Sequence, residues 1–448
     1  MKKTATLLLL SILSFSSLQA QGLDLDDYLQ LIEKNSKDLY MARLDQDLAA
    51  NKENQVRAAN RPMVQGQAGY NRNFLEIEQP MPAYADGTAD SAAIGIYPIA
   101  YEPVRYNSDN EFSLSVGVQQ NLFDMKITKA LKASQKYQDL TGSIYEASRQ
   151  GILTAGKKVY YQTILLDEVY KVKKSTEDNA YETYLDIKKR YENDLASELE
   201  VLQAEVNWQI NIPDSSQAAR NRDLAMSNLK HLGGIDPDEK LILTGSLSSF
   251  PEIPTETELG SILSTRPDYN ILINQRELND INISMVRAEF YPTLAASAGY
   301  GWQKHTNDFD LEDGIGALQA GLQLTIPIFY GGSRFSKLEE AKLELDKTRM
   351  SILKKQDDVQ TEINNLRLLL EESSSRIEVA QTTLKIAKKA YGIMEISSRN
   401  GLATQLDLKD ALLNLDGAQL NYYKAIYDYL EAYFNYQQAV GEGGLLFP

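Results

Sequence analysis

The chain of 448 residues contains two similar halves, and this duplication is the feature that most limits its fold. Residues 58–70, AANRPMVQGQAGY, share proline, alanine, glycine and tyrosine positions with residues 288–300, AEFYPTLAASAGY. Residues 193–204, NDLASELEVLQA, match residues 400–411, NGLATQLDLKDA. Each half therefore repeats one order of elements: a helix, a strand that follows a proline, a loop, a second strand, a very long helix, a tight turn and a returning helix.

Four segments, two in each half, alternate between apolar residues and small or uncharged polar residues. The apolar positions include Val64, Tyr70, Phe74, Phe112, Leu122, Leu294, Trp302, Leu318, Ile326 and Ile328. The opposite positions are mostly Gln, Asn, Ser and Gly, which is typical of strands with lipid on one face and water on the other. An ordinary half-buried sheet is the alternative, but its solvent face normally includes Lys, Glu or Thr.

Four strands are too few to enclose a pore, because the smallest membrane barrels use about eight. We therefore expect identical chains to associate, and three copies would supply twelve strands. The segment from Arg72 to Asn110 is predicted to be a long exterior loop that contains Tyr84, Tyr97, Tyr101 and Tyr106. Its counterpart from Lys304 to Gly316 is short.

The second long helix is predicted from residues 332–398, which contain no proline. Apolar residues occur every seven positions from Leu338 to Leu366, and the pattern slips by four to Leu370 before it resumes as far as Tyr391. Such a slip is a stutter, which locally unwinds a coiled coil. The first half has a weaker seam at Tyr145, Ile152, Val159 and Leu166. Either helix would be roughly 100 Å long, which suits a helical tube; a solid coiled-coil stalk is the alternative.

Each long helix is followed by the repeated turn, which we predict to be the tip of the helical part. The turn residues are Asn193, Asp194, Leu195, Ala196 and Ser197 in the first half and Asn400, Gly401, Leu402, Ala403 and Thr404 in the second. Ser197 with Glu200, and Thr404 with Asp407, have the spacing of a capping box. Gly401 adopts positive φ freely, and Asp194 tolerates it better than most residues.

Composition excludes several functional classes. The 62 acidic and 46 basic residues give a formal charge of −16, which is too acidic for a general nucleic-acid binder. The chain has no Cys and only two His, so we expect no disulfide, no thiol catalysis, no metal site and no cofactor. Residues 151–158 resemble a phosphate-binding loop, but Lys158 replaces the required Ser or Thr and the context is helical. Residues 1–20 are predicted to be a secretory signal peptide that is cleaved after Ala20.

The two-half plan, the double strand insertion and the Gly-Leu-x-x-x-x-Asp tip at Gly401–Asp407 resemble the TolC family of outer-membrane efflux and secretion channels. The resemblance implies a mainly α, non-enzymatic homotrimer with a small β part, in which a 12-stranded β-barrel in outer-membrane lipid continues into a 12-helix periplasmic α-barrel. It also implies two partners, a periplasmic adaptor (membrane fusion) protein and an inner-membrane RND or ABC-type transporter. Acidic rings at the entrance would come from Asp407 and Asp410, whereas Asp194 stands where the family typically has glycine.

This interpretation divides the chain into nine segments. They are the signal peptide 1–20, helices 21–61, the first β-hairpin 62–123, helices 124–233, a connector 234–266, helix 267–291, the second β-hairpin 292–330, helices 331–441 and a tail 442–448. Pro213 predicts a kink or a break near Asn211. The function that fits best is a passive exit duct of a tripartite efflux or type I secretion system. A periplasm-spanning tether or adhesin stalk without a lumen, and an exported hydrolase, are the alternatives.

Overall fold

The computed structural model describes residues 22–83, 100–400 and 402–443. The expected signal peptide and its cleavage site, Tyr84, Tyr97, Gly401 and residues 444–448 lie outside these ranges. The described chain divides into two compact units. One comprises residues 22–48, 139–275 and 347–443, and the other comprises residues 49–138 and 276–346.

Eight helices and six strands are assigned in the described ranges. The helices are α1 (Leu25–Asn35), α2 (Lys37–Ala58), α3 (Met125–Glu192), α4 (Glu198–Gly233), α5 (Leu259–Thr265), α6 (Pro267–Ala288), α7 (Ser333–Arg399) and α8 (Gln405–Ala439). The strands are β1 (Met63–Arg72), β2 (Glu78–Ala83), β3 (Ala100–Arg105), β4 (Asn110–Phe123), β5 (Thr293–Thr306) and β6 (Ile315–Thr325). None of the helices described here is long and apolar enough to cross a membrane.

The buried face of α7 follows the predicted seam, including the stutter. Val359 and Leu370 are fully buried, and the residue between them in the heptad pattern, Leu366, is half-buried. The buried positions on this helix are Ala341, Leu345, Thr348, Ile352, Val359, Leu370, Ser373, Ile377 and Leu384. The seven-residue spacing therefore selects the packed face on both sides of the slip.

The predicted seam of α3 is wrong by about one residue. Ile152, Val159 and Leu166 are only half-buried, whereas Leu153 and Tyr160 are buried. The reason is that another part of the chain packs on α3, and the heptad pattern does not predict that contact. The Tyr160 hydroxyl donates to the Leu23 carbonyl at 2.9 Å and accepts the Gly245 N–H at 3.1 Å. Residues 23 and 243 form a parallel bridge, so this part of the chain covers the face of α3 that carries Tyr160.

The break expected near Asn211 does not occur, because α4 continues from Glu198 to Gly233 with Pro213 inside it. Proline removes one helical N–H donor. In the turn that precedes it, the Asn211 side-chain amide donates to the Asn207 carbonyl at 2.7 Å. Ser215, Ala218, Ala225 and Leu229 are buried along the same helix, so tertiary packing outweighs the local cost of proline.

The larger sheet has four antiparallel strands in the order β1-β4-β5-β6. Val64 faces Val118, Tyr70 faces Phe112, and Gly117 faces Gly299 in the neighbouring strand. Three residues assigned to strand faces from the sequence, Phe74, Ile326 and Ile328, lie beyond the strand ends.

The interval between β1 and β4 is not simply a loop, because it includes a second antiparallel sheet formed by β2 and β3. Pro80 lies opposite Pro103 in this pair. Proline cannot donate to a ladder and argues against a central strand, but it is compatible with strands that both lie at an edge. Because of these prolines, the β2–β3 pair was not predicted from the sequence.

Candidate functional site

One face of the four-stranded sheet is apolar and exposed. Val64, Leu114, Val116, Leu318, Leu322 and Leu324 are all exposed on it. Large exposed apolar patches on a folded protein mark a surface that meets lipid or another protein. Alternation along each strand places these side chains on one face, as the sequence predicted.

The opposite face is polar but uncharged across its centre. Gln65 in β1 lies beside Gly117 in β4, which lies beside Gly299 in β5, which lies beside Gln319 in β6. A Cβ atom added at Gly299 would meet the Val116 carbonyl oxygen at 3.2 Å, so glycine allows close approach of the central strands. Glutamine and glycine give this face hydrogen-bonding groups without fixed charge.

Aromatic side chains lie at both ends of the apolar face. At the end with the β5–β6 loop, Tyr70 and Phe112 have ring centroids 4.9 Å apart, and Phe309 packs against both. At the end where α7 begins, Tyr291, Phe329 and Tyr330 are exposed. Aliphatic strands flanked by two aromatic girdles are the pattern of a wall that crosses a membrane.

The sheet ends in two edge strands, β1 and β6. Each of them pairs with only one neighbour within the described chain. An edge strand presents a row of backbone N–H and C=O groups, and in lipid such groups require partners. Within the described residues the sheet is therefore open at both edges.

The two turns that follow the long helices have the same backbone hydrogen bonds. The Leu195 N–H donates to the Arg190 carbonyl at 2.8 Å, and the Leu402 N–H donates to the Ser397 carbonyl at 2.8 Å. Asp194 adopts φ of 60°, as expected for the residue after the helix end. Leu195 and Leu402 occupy equivalent positions and are 77% and 82% exposed. The turns thus present two equivalent leucines to their surroundings.

Both predicted capping boxes are present. The Ser197 hydroxyl and N–H donate to Glu200 at 2.9 and 2.7 Å, and the Thr404 hydroxyl and N–H donate to Asp407 at 2.6 and 3.0 Å. The hydrogen bonds from the Thr404 side chain and backbone lower the pKa of Asp407. Asp407 therefore caps α8, as its spacing from Thr404 predicted.

Asp410 lies one helical turn further along α8 and is exposed. Within the described residues its side chain makes no hydrogen bond or ion pair. The remaining turn residues, Asn193, Ala196, Asn400 and Ala403, shape the two turns; the Asn193 amide donates to the Lys189 carbonyl at 2.7 Å.

Sequence reasoning missed a second set of exposed apolar residues beside the turns. Leu199 and Leu406 are equivalent in the two halves, as are Val206 and Leu413, and all four are exposed. Leu199 and Val206 are seven residues apart on α4, and Leu406 and Leu413 are seven apart on α8, so each pair lies on one helix face. The signal that could have found them is this apolar stripe, which lies immediately after each capping box.

An exposed amphipathic sheet, joined to long helices that end in two equivalent turns, is the arrangement of a membrane channel protein. The family model described as outer membrane efflux protein matches residues 28–234 and 259–442. The match covers most of the chain in two segments, so the chain belongs to the outer membrane efflux protein family, and the resemblance to the TolC family is confirmed.

Individual relatives agree with this assignment. The chain is 22% identical to the outer membrane protein TolC of Escherichia coli K12, over 94% of this chain and 82% of TolC. It is 21% identical to the alkaline protease secretion protein AprF of Pseudomonas aeruginosa, over 66% of this chain and 63% of AprF.

Solved structures give the same fold. The CmeC outer membrane channel of Campylobacter jejuni matches with a TM-score of 0.74 and 20% identity, over 94% of this chain and 86% of CmeC. The outer membrane protein VceC of Vibrio cholerae matches with a TM-score of 0.67 and 20% identity, over 94% of this chain and 97% of VceC. At these identities the likeness supports the fold alone.

Family membership makes the protein a non-enzymatic outer membrane channel protein of the efflux and secretion type. It lies in the outer membrane of a Gram-negative bacterium and extends into the periplasm. The mainly α fold class with two structural repeats is confirmed.

Proposed function

We propose that three copies of this chain assemble into a passive exit duct across the outer membrane. Three four-stranded sheets would form a 12-stranded barrel, and α3, α4, α7 and α8 of each copy would form a 12-helix periplasmic tube. The observation that carries the proposal is the sheet, in which β1 and β6 each have one neighbour within the described residues and the apolar face is exposed. Because unpaired backbone groups in lipid cost several kcal/mol each, neighbouring copies are the natural partners for both edges.

The first expected result is a trimer. Native mass spectrometry of the detergent-solubilised chain should give one species that contains three copies. Dilution should not release monomers that keep their secondary structure, because each released sheet would expose two open edges. A purified monomer that resists heat unfolding would contradict the proposal.

The two turns are proposed to contact a periplasmic adaptor (membrane fusion) protein that joins the duct to an inner-membrane RND or ABC-type transporter. The exposed pairs Leu195 with Leu199 and Leu402 with Leu406 support this, because such residues bury well against a partner. AprF is a protease secretion protein, and TtgC of Pseudomonas putida is a toluene efflux pump outer membrane protein. Both efflux and type I secretion are therefore compatible with the proposal.

A photoreactive amino acid at Leu402 is expected to capture the adaptor in intact cells. The same amino acid at Leu311, which is also exposed and lies in the β5–β6 loop, is the control and should capture no periplasmic protein. Mass spectrometry of the cross-linked species identifies the partner. If the probe at Leu402 links only to further copies of this chain, the turns do not contact an adaptor.

We propose that Asp410, together with Asp407, forms acidic rings at the entrance of the duct. Carboxylates that surround a narrow opening raise the local cation concentration. In planar bilayers we expect cation preference, and Asp410→Asn should lower the cation-to-anion permeability ratio by a factor on the order of 2 to 5. Asp407→Asn keeps an oxygen that accepts from Thr404, so it removes charge while it retains the cap.

Glu339→Gln is the control for these recordings, because Glu339 is an exposed carboxylate near the start of α7, at the opposite end of that helix from the turn. Its permeability ratio should remain that of the native chain. Anion preference in the native chain, or an unchanged ratio in Asp410→Asn, would refute the acidic ring. The tether alternative predicts no current from any of these variants, even after the tips are opened by mutation.

A further inference from the structure

The link between β6 and α7 is apolar and exposed. Ile328 and Phe329 are 87% and 76% exposed, and Ile326, Tyr330 and Phe335 are also exposed. This link lies at the end of the sheet where α3 and α7 begin. Because the helices of this outer membrane protein extend into the periplasm, the link belongs at the periplasmic boundary of the membrane.

Arg334 is held rigidly beneath this link. Its guanidinium donates to the carbonyls of Pro327 and Ile328 at 3.3 and 3.2 Å, and to the Glu289 carbonyl at 3.2 Å. It also lies 4.9 and 4.8 Å from the ring centroids of Phe290 and Tyr330. All these partners are neutral, and in the part of the chain that the structure describes no carboxylate lies within ion-pair distance. The positive charge of Arg334 is therefore fixed but not neutralised.

A cavity of about 330 Å³ adjoins Arg334. Lys126 and Lys337 line it and share one carboxylate, that of Glu289, at 3.3 and 3.2 Å. The other carboxylate in the lining belongs to Asp124, which accepts the Lys126 backbone N–H at 2.8 Å. Three cations thus face two carboxylates, and the uncompensated charge is that of Arg334.

We propose that this cavity binds the phosphodiester of a glycerophospholipid from the periplasmic leaflet, with the acyl chains against Ile328 and Phe329. The Lys126 and Lys337 ammonium groups complement a phosphate anion as donors, and Arg334, whose terminal N–H groups are engaged by backbone carbonyls, adds its positive charge beside them. The apolar link beside them supplies the surface for acyl chains, which free phosphate could not use. The proposal rests on the outer-membrane location and not on the trimer.

Native mass spectrometry of the full chain after delipidation and incubation with phosphatidylglycerol tests the site. Diacylglycerol with the same acyl chains, which lacks the phosphodiester, should be retained about tenfold less, and millimolar inorganic phosphate should not displace phosphatidylglycerol. Equal retention of both lipids would reduce the site to apolar contact. Displacement by inorganic phosphate would make it a free-anion site. Either result overturns the proposal.

Substitutions in the cavity test whether phosphatidylglycerol binds there. Arg334→Gln should lower phosphatidylglycerol retention about threefold, because the uncompensated charge is lost. The double variant Lys126→Gln with Lys337→Gln should lower it about tenfold, because two ammonium donors are lost and one cation then faces two carboxylates. Lys342→Gln, on the same helix and paired with Glu339, is the matched control and should match the native chain. If Arg334→Gln does not fold, the double variant decides. If the double variant retains as much phosphatidylglycerol as Lys342→Gln does, the proposed site is refuted.

Discussion

Replacement of Arg266 by leucine is expected to lower the local free energy of unfolding by about 3 kcal/mol. The Arg266 side chain is only 7% exposed. It binds both oxygens of Asp268 at 2.9 and 2.7 Å, Glu362 at 2.9 Å and the Ala439 carbonyl at 2.7 Å. One guanidinium therefore connects the α5–α6 junction, α7 and the end of α8 within one compact unit.

The expected loss of about 3 kcal/mol follows from the groups that lose their partner when leucine replaces Arg266. Asp268 and Glu362 are 38% and 45% exposed, so water partly solvates them and the cost lies at the low end for a broken buried ion pair. Burial alone would raise the pKa of Asp268, but hydrogen bonds from Arg266 and Lys355 outweigh burial and hold the pKa far below its ordinary value. The Ala439 carbonyl loses its charged donor, which adds to the cost.

Native-state hydrogen exchange of residues 259–270 and 436–443 measures this effect. Exchange in Arg266→Leu should be roughly 100-fold faster than in the native chain. Arg367→Leu is the matched control, because Arg367 also bridges two carboxylates but lies at the surface. It should cost less than about 1 kcal/mol. Equal exchange in the two variants would contradict the role assigned to Arg266.

Lys157→Met is expected to remove a pH dependence of stability from the native chain. Lys157 is 1% exposed, its ammonium donates to the Gln437 side chain at 3.1 Å, and it lies 5.7 Å from the Phe434 ring centroid. Burial lowers the pKa of Lys157 to about 8, although the nearby charge of Asp26 opposes this. A buried charge is therefore carried by the folded chain at neutral pH.

Proton linkage determines whether stability rises or falls with pH. Between pH 8 and about 10.5 the unfolded chain keeps the lysine proton that the folded chain releases, so stability rises with pH. Relative to Lys157→Met, the native chain should gain about 2 kcal/mol between pH 7 and pH 10. Buried tyrosines oppose this trend above pH 10, because burial raises the pKa of Tyr161, for example, to about 12, but they contribute equally to both chains.

Urea unfolding followed by circular dichroism at neutral and alkaline pH checks this difference. Lys158→Met is the matched control, because Lys158 is the next residue of α3 and is only half-buried. Its stability should change with pH in parallel with that of the native chain. A parallel change in Lys157→Met as well would mean that Lys157 keeps an ordinary pKa.

The features that sequence reasoning predicted are local or strictly periodic. The capping boxes at Ser197 and Thr404 depend on a side chain and a backbone three residues away. The stutter between Val359 and Leu370 depends on spacing along one helix, and the strand faces depend on alternation. Each of these features depends only on residues within a short stretch of chain, so residue type and spacing are sufficient to predict it.

The features that were missed depend on distant partners. The buried face of α3 shifted because residues 23 and 243–245, far away in sequence, cover Tyr160. The helix continues through Pro213 because its face packs along its whole length, and the β2–β3 hairpin forms although Pro80 and Pro103 lie opposite each other. In each case tertiary contact outweighed a local preference worth only a few kcal/mol.

The amino-acid sequence by itself determined the duplication, the amphipathic strands, the long helices and the capped turns, because these follow from side-chain spacing along a single segment. Only the tertiary structure decided that Lys157 and Arg266 are buried and that, among the described residues, Arg334 has no carboxylate partner beside an apolar link. Charge and hydrogen bonding in a folded protein depend on which distant groups exclude water from a side chain, and spacing along one chain does not specify them.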